Sequence, residues 1–123
     1  MTALEIDPGV EQRLQTERNI WLATVRADGR PHLAAIWFVW YAQRVYLCTA
    51  ATSIKARNIS TNPNVTLSLE VGDKPIVLEG SAKAIERAEP TIVAAFQSKY
   101  NWDITTDREY DRVIEIEVER IRA

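Results

Sequence analysis

Residues 31–41 read Pro-His-Leu-Ala-Ala-Ile-Trp-Phe-Val-Trp-Tyr, a strand-length run that is apolar on both faces. Side chains alternate along a strand, so Ile36, Phe38 and Trp40 share one face, and Ala35, Trp37, Val39 and Tyr41 share the other. Such a strand needs cover on both sides. In a chain of 123 residues, enough for one domain with one main core, the simplest solution is a barrel interior on one side and a helix or a second subunit on the other.

The flanking sequence supplies the other walls. Asp7-Pro8-Gly9 opens a short amphipathic helix that ends near Glu17 or Arg18, with Asp7 as cap and proline at its first position. Ile20–Arg26 is strand-forming, and Asp28-Gly29 is a hairpin signal that turns it back into the 31–41 strand. Val45–Cys48, Val65–Val71, Ile76–Ile85 and the alternating stretch around Ile114, Ile116 and Val118 complete six strands. Ser53 caps a short helix over Ile54–Ile59, stopped by Asn62-Pro63-Asn64, and Ala88-Glu89-Pro90 opens another that runs to about Tyr100. The expected fold is mainly β with a minor helical part: a six-stranded antiparallel barrel with two or three short helices, in one domain over 1–123.

Charge narrows the function. A net charge of −2 argues against nucleic-acid or membrane-surface binding, since both need a broad positive field. The balance is uneven: from Gly29 to Leu69 there is no Asp or Glu, while Arg30, Arg44, Lys55 and Arg57 make the stretch +4 and leave −6 for the remainder. This middle is suited to a small anion. The single cysteine, Cys48, makes no intrachain disulfide and, with one histidine, no zinc ligand set; a reducing compartment fits it. Met1–Asp7 has no basic residue or apolar core of signal length, and the longest apolar run, Leu33–Ala42, is too short to span a bilayer, so a cytoplasmic location is expected.

The anion site itself points to Thr49–Arg57. A helix start offers unpaired N–H groups and the positive end of the dipole. Lys55 and Arg57 add formal charge, and the hydroxyls of Thr49, Thr52 and Ser53 can donate further bonds. The same segment also reads as an ordinary helix start with solvated basic side chains. His32 is read as a surface residue beyond the hairpin, Cys48 as a small buried hydrophobe, and the glutamates at 115, 117 and 119 as a solvated face.

Asp28-Gly29-Arg30-Pro31, Ile36-Trp37-Phe38, Val45-Tyr46-Leu47, Ser53-Ile54-Lys55-Ala56-Arg57-Asn58-Ile59 and Asn62-Pro63-Asn64-Val65, in that order, resemble the flavin-binding split-barrel family related to pyridoxamine 5'-phosphate oxidase, over roughly residues 17–86. The resemblance implies a split β-barrel that is homodimeric, with FMN, or the related deazaflavin coenzyme F-420, in clefts at the subunit interface. It implies that Lys55 and Arg57 are phosphate ligands supported by Ser53 and Thr49, and that Ala35, Ile36, Trp37 and Phe38 wall the ring. It further implies that strand five, from Val77 through Glu79 to Gly80, and Trp102 approach from the partner subunit. The activity implied is that of a flavin-dependent oxidoreductase passing hydride or electrons to a small-molecule substrate. The chain ends at Ile121-Arg122-Ala123 without the tail that binds pyridoxamine phosphate in the family's namesake, which argues against that substrate. The rival readings are an F-420-dependent reductase, a flavin or haem carrier or sensor without turnover, and a barrel that serves only as a dimeric interaction module.

Overall fold

One curled antiparallel sheet organises the computed structural model, which describes residues 4–123; residues 1–3, part of the stretch read above for a targeting signal, lie outside it. In chain order the elements are α1 (Pro8–Thr16), β1 (Asn19–Val25), β2 (Pro31–Trp37), β3 (Val39–Tyr41), β4 (Arg44–Thr49), α2 (Ile54–Thr61), β5 (Asn64–Leu69), β6 (Val77–Ile85), α3 (Pro90–Tyr100) and β7 (Arg112–Arg122). The strands lie in the order β2-β1-β5-β6-β7-β4-β3, and every neighbouring pair is antiparallel. No helix among the described residues is long and apolar enough to cross a membrane.

The strand count is seven, not six, because the expected strand over 31–41 is broken at Phe38. β2 pairs with β1, β3 pairs with β4, and Phe38 belongs to neither ladder. Phe38, Val39 and Trp40 are buried in succession because both faces are covered here, Phe38 and Trp40 in the main core and Val39 on the opposite side. Since β2 and β3 are also the two ends of the sheet, the two edges of this half-barrel are joined covalently at Phe38.

The two faces of that segment meet different fates. The sheet interior holds the main core, with Phe38, Ile20, Leu22, Leu47, Leu67 and Ile116 all fully buried. On the far side of β3 and β4 a second core forms under α3, where Val39, Tyr46 and Cys48 meet Ile92, Phe96 and Tyr100. A helix thus covers the outer face of β3 and β4, as two-sided apolarity requires. The outer face of β2 has no such cover, and Leu33 and Trp37 stay 62% and 40% exposed.

Candidate functional site

The start of α2 is built by its cap. The Ser53 hydroxyl accepts from the Ala56 amide at 3.1 Å and from the buried Thr49 hydroxyl at 3.0 Å. Both acceptor positions are then occupied, and the Ser53 proton remains to be donated outward. The Ala51 amide donates to Asp111 at 2.9 Å, which fastens this loop to the start of β7.

Beside this cap runs a crevice of about 330 Å³, where β2 diverges from β4. Ala35, Ile36 and Trp37 form one wall, Cys48 and Thr49 the floor, and Lys55 stands at the helix end. Trp102 and Tyr110, from the link between α3 and β7, close the far side, and Asn19 contributes from β1. The rings are mutually braced: Trp102 packs edge-on to Trp37 and to Tyr110, both at 6.0 Å between centroids. Asp107 sets the link, accepting from the Trp102 indole N–H at 2.9 Å and from the amides of Glu109 and Tyr110 at 2.9 and 2.8 Å. The Tyr110 amide is the main reason its carboxyl is held below the usual carboxylate range.

Six of the expected site residues therefore line one crevice: Ala35, Ile36, Trp37, Thr49, Lys55 and Trp102. Trp102 stands beside the Trp37 of its own chain. Phe38 points into the main core and lines nothing, and its peptide is already bonded to Lys99 and Tyr100. Thr52 sits exposed on the turn before α2. Arg57 opens on a separate groove of about 660 Å³ with Arg26, Asp28 and Ile54. Residues two apart on a helix lie on different sides, and Lys55 and Arg57 line separate hollows.

Val77 and Glu79 sit on the outward face of β6. Glu79 lines a third hollow, of about 440 Å³, and pairs with Arg122 at 3.6 Å. His32, expected at the surface, is half-buried and its Nδ1 has no hydrogen-bond partner; burial, then the charges of Arg26 and Lys55, hold its pKa below the ordinary value. Asn19 and Tyr110 were not foreseen, and neither carries a local sequence signal.

The family model for pyridoxamine 5'-phosphate oxidase matches residues 6–123. Among solved structures, an F-420 reductase is 25% identical, with 95% of this chain and 98% of that one covered and a TM-score of 0.77. General Stress Protein 26 from Bacillus anthracis str. Sterne is 30% identical over 90% of this chain and 87% of its own, with a TM-score of 0.72. HutZ, a haem storage protein from Vibrio cholerae, shares the fold at a TM-score of 0.80 with 18% identity, covering 98% of this chain and 95% of its own. No curated protein matches the chain.

Proposed function

The chain belongs to the pyridoxamine 5'-phosphate oxidase family, and from that premise we propose that it is an FMN-binding oxidoreductase that acts as a homodimer and passes hydride or electrons to a small-molecule acceptor. The observation that carries this reading is the crevice at the split of the half-barrel, with aromatic rings along its walls and a lysine at a capped helix start. Its volume of about 330 Å³ lies at the low end for ligand sites, suited to a ring whose chain and phosphate run on toward α2.

Bound FMN would supply the hydride or electron transfer, and the chain supplies binding, orientation and exclusion of water. Lys55 holds the phosphate, with the outward proton of Ser53 and the free amides of the first turn of α2. Trp37 and Trp102 flank the ring. β2 is an edge strand, so half of its peptide groups face away from β1 and are free to bond the ring's polar rim along Ala35 and Ile36.

A second copy covers the outer face of β1 and β2. Ala23 is paired with Leu33, and Trp21 with Ala35, so these four share one outward surface, of which Leu33 is 62% and Trp21 39% exposed. In the dimer, Val77 and Glu79 would come from the partner.

The deazaflavin coenzyme is the second reading, and the groove holding Arg57 and Arg26 favours it, since these cations would take an anionic tail longer than one phosphate. Haem is disfavoured, because His32 is not among the residues that line the crevice. The visible spectrum of the purified protein, followed by titration with FMN, F-420 and haem and then by NAD(P)H oxidation, tests the proposal. Flavin bands and saturable FMN binding are expected. Binding of haem alone, or of none of the three, would contradict it.

A further inference from the structure

Where β2 gives way to β3 the ladder has a gap, and the end of α3 fills it. The Phe38 amide donates to the Tyr100 hydroxyl at 2.9 Å, and the Phe38 carbonyl accepts from Lys99 Nζ at 2.9 Å. The same hydroxyl donates to the Arg18 carbonyl at 2.7 Å. Tyr100 also lies flat against Trp37, with ring centroids 4.4 Å apart and planes within 9°, and the Arg18 guanidinium covers both rings at 5.3 and 4.9 Å. Trp37 is the ring wall of the crevice.

Lysine is a costly filler for such a gap. Its Nζ lies 3.9 Å from the Phe38 ring centroid and 5.3 Å from that of Tyr100, and burial, then the charge of Arg18, bring its pKa down to about 8. Arg18 and Glu17 face it from the link between α1 and β1, and the Phe38 carbonyl and ring face it from the strand break. A methionine would pack in the same space without a charge to desolvate. Its ammonium ties the end of α3 to the Phe38 carbonyl, next to the Trp37 wall of the crevice.

We propose that Lys99 and Tyr100 are positioning residues for the crevice: by holding both peptide groups of Phe38 and one face of Trp37, they fix the wall that an incoming ring meets. The proposal rests on the flavin reading only for the identity of that ring. It is tested in the full chain with Lys99→Met and Tyr100→Phe, by thermal melting, FMN and riboflavin titration, and near-ultraviolet circular dichroism from about pH 6.5 to about pH 9.5. The Trp37–Tyr100 stack is identified as the signal lost in Trp37→Phe.

In the parent this signal titrates with a midpoint near pH 8, and in Lys99→Met it does not. Each variant melts within a few degrees of the parent at neutral pH yet binds FMN and riboflavin alike about tenfold more weakly. A parent signal that does not titrate, or a folded Lys99→Met that binds both flavins as the parent does, would overturn the proposal. If Lys99→Met does not fold, Tyr100→Phe decides by the same binding criterion. If the parent binds neither flavin, the functional reading fails and the near-ultraviolet titration alone decides this one.

Discussion

Cys48 lies on the crevice floor, only 4% exposed, and burial, then the nearby charge of Asp107, push its thiol up to about 12. A thiol so held is not a nucleophile at neutral pH. The native protein is expected to leave Cys48 unmodified by iodoacetamide over hours at pH 7.5 and to take up one equivalent once denatured, as mass spectrometry would show; prompt native labelling would mean a more open floor. Lys99 makes stability depend on pH. With its pKa at about 8 against an ordinary 10.5, the unfolded chain holds a proton between those values that the folded chain has lost. Stability therefore rises with pH across that window, while below pH 8 both states are charged and the cost of burying the charge stands in full. Denaturant melts from pH 7.5 to pH 10.5 should show the rise in the parent and a flatter profile in Lys99→Met.

α2 and β6 carry the element-scale consequences. Asn58 is buried and donates to the buried Thr24 hydroxyl at 2.9 Å, locking α2 to β1. Asn58→Ala leaves Thr24 unpaired and is expected to cost about 1–3 kcal/mol in chemical denaturation. Gly80 stands at the bulge in the pairing of β6 with β7, where an added Cβ would collide with the Glu117 carbonyl. Gly80→Ala is expected to cost about 1–3 kcal/mol and lower the melting temperature by several degrees. Much of this level was legible in advance: the Asp7 and Ser53 caps, the Asp28-Gly29 hairpin and the alternating strands are local, and local chemistry decides them. The break at Phe38 was not legible, because no proline or glycine marks it and its partner, Tyr100, lies 62 residues away. The placement of Arg57 at a different hollow from Lys55 was likewise not legible from the motif as a string, because the helix turns the two side chains apart. Asn19 and Tyr110 escaped for the same reason as the break, since only the folded sheet brings β1 and the link after α3 to one crevice.

At the scale of the whole molecule, the sheet is covered by α3 on β3 and β4 but bare on β1 and β2, and the proposed dimer rests on that bare face. Leu33→Asp would place a charge in the middle of the bare face and is expected to convert a dimer of the 14.0 kDa chain into monomer by light scattering, with the fold intact by circular dichroism. A parent already monomeric would remove the interface from the account. The central claim is narrower: one crevice receives a ring, and Lys55 holds the anion attached to it. It is tested most directly by titrating the parent and Lys55→Ala with FMN and with riboflavin, which lacks the phosphate. Loss of one charge-assisted bond, about 1.5–3 kcal/mol, should weaken FMN binding by roughly ten- to a hundredfold and leave riboflavin binding unchanged. Equal weakening of both, or of neither, would contradict the assignment of Lys55.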